Sequence, residues 1–216
     1  MNNTSERHMI QESFINEADY YGHLMHLLSY QFATDYVINK NILDYGCGTG
    51  YGANILAKKA KLVTAIDISD EAISYAKKNY SSHNLNFKTT SKFKKEEFKE
   101  KFDVITSFQV IEHVINEKEF LTNLFELLKP GGFLILTTPN KKNRLFSYIQ
   151  KPWNIFHTKE YSALELNYTL EKYFTTVEVL NISAKKEFVA HELKRLKKQK
   201  IITLPCTLYI YPRPLM

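Results

Sequence analysis

Cysteine, tryptophan and glycine are all scarce in this chain: two, one and seven respectively in 216 residues. Cys47 and Cys206 are far apart, and neither falls into a metal-ligand spacing with a histidine. The sequence therefore predicts free thiols in a reducing compartment and no metal site. No run of about 18 apolar residues is present to cross a membrane. Residues Met1 to Arg7 contain no apolar stretch, so no secretory signal is expected and the chain reads as cytoplasmic. The length suits one domain with a well-buried core and is too short for two of ordinary size. Within it, residues 1–38 read as a helical extension and 39–216 as the body of the domain.

The surplus of positive charge is modest. Lysine and arginine number 29 against 23 acidic residues, a net charge of +6, which biases the chain toward anionic partners without defining one. Seven of the basic residues lie between Lys185 and Lys200. The ordinary reading of such a run is a solvated helix face. Contact with nucleic acid, or peripheral contact with a membrane, is the functional alternative for 185–200 and is not favoured over it.

The scarce glycines are concentrated. Four of the seven stand at 46, 48, 50 and 52, after the apolar residues Ile42 and Leu43 and before the helical stretch around Ile55 and Leu56. Glycine permits sharp turns and lets a ligand approach the main chain without a Cβ in the way. A strand, a glycine-rich turn and a helix in that order predict a nucleotide-cofactor site. Gly48-x-Gly50-x-x-Ala53 loosely satisfies the dinucleotide fingerprint, but Asp44 at the strand end would repel a pyrophosphate. The same carboxylate would attract the sulfonium and ammonium of S-adenosylmethionine, which becomes the favoured cofactor. Leu62 to Ile66 reads as a buried strand ending in Asp67, about 20 residues past the turn, where an acid can accept both ribose hydroxyls. Asp70 precedes the next apolar periodicity and is the expected helix cap.

Four segments together resemble the class I S-adenosylmethionine-dependent methyltransferases: Ile42 to Gly52, Ala65 to Ser69, Phe102 to Val114, and Leu127 to Asn140. The resemblance implies a Rossmann-like, doubly wound α/β fold with a mostly parallel seven-stranded sheet, helices on both faces and an N-terminal helical lid. The chain's own alternation agrees. Strands are expected near 41–45, 62–67, 84–89, 103–108 and 132–138, and helices near 51–60, 70–80 and 117–129, as in right-handed βαβ units. Lys129-Pro130-Gly131-Gly132 should end the last of these helices in a turn. Beyond Asn140 a helix over 158–172 capped by Thr158, a strand at 177–180, a basic helix over 185–200 and an antiparallel final strand at 204–210 are expected.

By resemblance, Asp44, Gly46, Cys47, Gly48 and Gly50 form the turn beneath S-adenosylmethionine, with Asp67 and Ile68 at its ribose edge. Ser91 stands where relatives carry an aspartate for the adenine amino group. Ser107, Phe108 and Gln109 line the methionine and adenine side. His113 follows at the mouth of the site and His157 lies in an aromatic loop past the fifth strand; both are candidate general bases, since imidazole titrates near neutrality. Glu160 is a further candidate on the same loop. The first helix carries Tyr20, Tyr21, His23, His26 and Tyr30, hence the expected lid, although an aromatic stripe at helical spacing is more often core. Glu6-Arg7-His8, His26-Leu27 and Tyr30-x-Phe32-Ala33 also resemble methyltransferases encoded with bacterial cell-surface polysaccharide enzymes. Those carry an arginine just before the tyrosine, where this chain has Ser29.

Two absences narrow the acceptor. The Asp/Asn-Pro-Pro-aromatic motif of nucleobase amino-methyltransferases does not follow the fourth strand, and Pro205-Cys206 is far from the cofactor half. The expected activity is methyl transfer to a small-molecule or glycan acceptor, at oxygen. An RNA methyltransferase and a non-catalytic binding module of the same fold are the alternatives, with a nicotinamide oxidoreductase last because of Asp44.

Overall fold

A computed structural model describes residues 17–90, 98, 100–141, 156–182 and 206–212, without the side chains of 17–22, 24, 181 and 206–212. Ser91, Trp153 and the basic stretch 185–200 lie outside the described residues.

The elements run α1 (Glu17–Ala33), β1 (Asn41–Tyr45), α2 (Tyr51–Ala57), β2 (Leu62–Asp67), α3 (Asp70–Asn79), β3 (Leu85–Thr89), β4 (Phe102–Phe108), α4 (Glu117–Leu127), β5 (Leu128–Pro139), α5 (Ala163–Leu170), β6 (Glu178–Asn181) and β7 (Cys206–Pro212). The strand order is β3-β2-β1-β4-β5-β7-β6. The first five strands of that order pair in parallel. The parallel body therefore has five strands, and β7 joins it antiparallel to both β5 and β6. Strand order reverses between β1 and β4, the crevice where open α/β sheets bind ligands at their carboxyl ends.

Alternation along the strands splits the core between the two faces of the sheet. Ile42, Val63, Ala65 and Val104 pack with Tyr30 of α1, Leu56 of α2 and Ile73 and Ala76 of α3. Leu43, Ile66, Ile105 and Leu134 pack on the other side with Phe120, Leu121 and Leu124 of α4 and Leu166 and Leu170 of α5. Strands covered on both faces need the near-continuous apolar runs seen in β2, β4 and β5.

Among the described residues, the second half of α1 packs as scaffold. Tyr30 and Ala33 are fully buried members of the core, because the aromatic stripe packs onto the glycine turn.

Three boundaries differ from expectation. α4 stops at Leu127, and Pro130 and Gly131 fall within β5, where the pairing with β4 jumps from Phe102↔Leu128 to Val104↔Phe133. The bulge takes up the extra residues, and the residue before a proline disfavours continuing the helix. The cap of α3 is Ser69, whose Oγ accepts from the Ala72 amide at 3.2 Å; Asp70 is the first residue inside the helix. The helix expected from 158 begins at Ala163, capped by Ser162 in a reciprocal box with Glu165. Thr158 is used elsewhere.

Candidate functional site

The turn after β1 folds back on β2: the amides of Gly46 and Cys47 both donate to the Ile66 carbonyl, at 2.8 and 2.9 Å. The Gly48 amide donates to Asp67 Oδ2 at 2.9 Å, and Ser69 N donates to Oδ1 at 2.9 Å. Backbone amides thus fix both oxygens of the Asp67 carboxylate at the end of β2. Gly48 has φ of +53°, and a Cβ there would meet nothing within 4 Å. The turn demands glycine for its dihedral, and the space above it is open. Ile68, beside Asp67, is 68% exposed, an apolar side chain presented at the strand end.

Asp44 does not face that space directly. It is fully buried and accepts hydrogen bonds from Thr106 Oγ1 at 2.7 Å and Tyr30 Oη at 3.1 Å. Burial pushes its carboxyl up to about 7, partly offset by those two hydroxyls. Burial also raises the Cys47 thiol, which is neutral near pH 7 and offers no nucleophile. Ser29 donates to the Met25 carbonyl of its own helix at 3.0 Å.

Ser107, Phe108 and Gln109 close the other wall. Phe108 is buried edge-on to Tyr30, with ring centroids 4.8 Å apart. Gln109 adopts φ of +57°, held by its amide to the Thr137 carbonyl at 2.9 Å and its Nε2 to Thr137 Oγ1 at 3.1 Å. Ser107 Oγ is fully buried and has no hydrogen-bond partner among the described residues. An orphaned hydroxyl beside an open glycine turn fits a polar ligand.

Residues 111–113 and 156–160 converge although they are far apart in sequence. The 3₁₀ turn Ile111–His113 after β4 is stitched to residues 156–160. The Glu112 carbonyl accepts from the Thr158 amide at 2.7 Å and from Thr158 Oγ1 at 3.0 Å. Thr158 ties two loops together, which is why it is not a helix cap. His113 Nδ1 lies 3.0 Å from the Phe156 carbonyl. His157 Nδ1 lies 2.7 Å from Glu160 Oε1, and both residues are buried. The two imidazoles meet edge to face with centroids 4.9 Å apart. Glu112 is buried beside them, with Oε2 accepting from Thr138 Oγ1 at 3.0 Å. Its burial raises the carboxyl above the usual range, against the pull of the imidazoles.

The sequence places Glu112-His113 on one loop and His157 with Glu160 on another; the fold brings Glu112, His113 and His157 into one cluster. One ligand atom from each of Glu112, His113 and His157 lies within 4.8 Å of the other two. A search by spacing cannot find such a group, because its members come from two loops more than 40 residues apart.

Comparison with known proteins agrees with the fold. The profile described as a methyltransferase domain matches residues 38–177. A probable S-adenosylmethionine-dependent methyltransferase of Mycolicibacterium smegmatis is 31% identical over 147 residues, covering 68% of this chain and 56% of the relative. A ubiquinone biosynthesis O-methyltransferase of Coxiella burnetii is 32% identical over 111 residues, covering 50% of this chain and 47% of the relative. The chain thus spans about half the length of these curated relatives. Among solved structures, the N-methyltransferase NodS of Bradyrhizobium japonicum in complex with S-adenosyl-l-homocysteine superposes with a TM-score of 0.62. It is 19% identical, with 90% of this chain and 88% of that chain covered.

Proposed function

Because the chain belongs to the methyltransferase-domain family, we propose that it moves the methyl group of S-adenosylmethionine to a hydroxyl of a small-molecule or glycan acceptor. S-adenosylmethionine supplies a methyl already activated on a sulfonium. The Asp67 carboxylate, held in place by Gly48 and Ser69, accepts the ribose hydroxyls, and the exposed Ile68 packs against the adenine. Ser107 Oγ takes a polar group of the methionine end, while the buried Asp44 supplies the negative potential that favours a cation over a pyrophosphate.

In-line displacement needs little from the protein beyond alignment and exclusion of water, which contribute about 7–11 kcal/mol in well-oriented reactions. A hydroxyl acceptor needs one thing more, because its proton must leave. The observation that carries this reading is the buried His157–Glu160 pair, 2.7 Å apart, at the carboxyl end of the sheet. Glu160 holds the proton on Nδ1, so Nε2 is the basic atom of the neutral ring. An amine acceptor that is already unprotonated, with its lone pair free, has no need of such a pair. The Coxiella relative, named as an O-methyltransferase of ubiquinone biosynthesis, supports transfer to oxygen.

Two measurements test the reading. In calorimetric titrations, S-adenosylmethionine and S-adenosylhomocysteine bind and NAD does not; binding of NAD alone would overturn the cofactor assignment. In methylation assays over phenols, sugars and amines, Glu160→Gln lowers turnover of the hydroxyl acceptor by about 10²–10⁴-fold. Equal activity of wild type and variant would remove the base.

A further inference from the structure

The pairing of the two histidines says more than a proton acceptor requires. We propose that Glu112, His113 and His157 form a binding site for a divalent cation of the zinc class. Both imidazoles have Nδ1 directed at an oxygen that only accepts: the Phe156 carbonyl for His113 and the Glu160 carboxylate for His157. Each neutral ring therefore carries its proton on Nδ1 and its lone pair on Nε2. That is the arrangement in which ligating histidines are held, with the far nitrogen donating to a carbonyl or carboxylate that fixes the ring and raises its basicity.

Glu112 meets the same condition. Thr138 Oγ1 donates to its Oε2, and the Thr158 amide and hydroxyl pin its carbonyl. Each of the three ligands is thus oriented by a neighbour. Their ligand atoms, within 4.8 Å of one another, have to draw in to about 3.4 Å to share a tetrahedral ion at 2.0–2.2 Å. His113, the least buried of the three, can supply that movement.

Two imidazoles and one carboxylate select the metal. Calcium and magnesium take oxygen ligands, whereas imidazole nitrogen suits zinc and its neighbours. Three protein ligands leave a fourth position open, as catalytic zinc sites do. An acceptor hydroxyl entering that position would be acidified by the cation and lose its proton to solvent; its oxygen would then take the methyl as the sulfonium–methyl bond breaks, leaving S-adenosylhomocysteine as the thioether product. This use of the cation rests on the hydroxyl-acceptor reading; its binding does not. With the cation in place, His157 is a ligand and the cation takes over its task.

The test is zinc titrated calorimetrically into chelator-treated protein, with cobalt loading followed by visible absorption. One zinc per chain is expected, with cobalt giving the bands of a site that includes nitrogen ligands. Glu160→Gln, which only positions His157, weakens zinc about 10–100-fold; His113→Gln and His157→Gln weaken it further. His83→Gln, at an exposed position outside the cluster, leaves it unchanged. S-adenosylhomocysteine binding by each variant confirms that it is folded. Zinc binding unaltered in the His113→Gln/His157→Gln double variant, or absent from wild type, overturns the site. Methylation of a hydroxyl by chelator-treated, zinc-free protein sinks the cation's part in the transfer and leaves the base standing.

Discussion

The phenol ring of Tyr30 occupies the space that a side chain on Gly52 would need: a Cβ built there lies 1.9 Å from Tyr30 Cζ. The fourth glycine of the turn thus serves the first helix rather than the cofactor. It lets the ring descend far enough for its hydroxyl to reach Asp44.

Gly52→Ala is therefore expected to push Tyr30 off Asp44. Overpacking of this kind costs about 1–3 kcal/mol, and urea denaturation should show it as a lower midpoint with an unchanged slope. Combining it with Tyr30→Leu should recover part of the loss. A single variant as stable as wild type would mean that the helix moves aside freely.

The Asp44 carboxyl makes stability depend on pH. Its folded value, about 7, lies above the ordinary 3.8, so between those values the native state holds a proton that the unfolded chain has lost. Its stabilising contribution is complete below about pH 4 and disappears as pH rises through about 7. The amplitude is on the order of 4 kcal/mol. Asp44→Asn removes the titrating group while keeping one oxygen to accept from Thr106, and should flatten that part of the stability–pH curve. A cationic ligand nearby favours the ionised form, so S-adenosylmethionine binding below pH 7 should release protons, measurable by calorimetry in buffers of different ionisation enthalpy.

Asp67→Ala removes a carboxylate held by two backbone amides. If it binds both ribose hydroxyls, at about 1.5–3 kcal/mol each, S-adenosylhomocysteine should bind more than about 100-fold weaker. Asp70→Ala, three residues on at the start of α3, should change that affinity little.

Ser162→Ala breaks the box in which Ser162 Oγ accepts from the Glu165 amide and Glu165 Oε2 accepts from Ser162 N. The expected loss is about 1 kcal/mol. Because α5 follows the loop carrying His157 and Glu160, zinc affinity in this variant reports whether the cap also positions the site.

The cofactor half was legible because its signals are local. Strand, glycines and acid follow one another within 26 residues from Ile42 to Asp67, and each imposes its geometry on its neighbours. Ser69 and Ser162 carried capping signals just as local, but Asp70 and Thr158 matched the same preference, and sequence alone does not decide between adjacent candidates. The role of Asp44 was only half legible: its charge was plain, whereas its burial under Tyr30 depends on where α1 lands. The acceptor cluster was illegible as a cluster. Glu112 and His157 meet because Thr158 bonds across to the turn after β4, and no periodicity announces a contact between two irregular loops. The positive φ of Gln109 likewise comes from its bonds to β5 rather than from any turn residue in the sequence.

The strand order has a consequence for how the chain is born. β7 comes after β6 in sequence yet lies between it and β5, and among the described residues β6 pairs with no other strand. While the ribosome is still adding the residues between Asn181 and Cys206, roughly one to five seconds at ~5–20 residues per second, β5 has an uncovered edge and β6 has nothing to pair with. During that interval the nascent sheet presents a free template for strands of other chains, so chaperone demand and aggregation should peak late in translation.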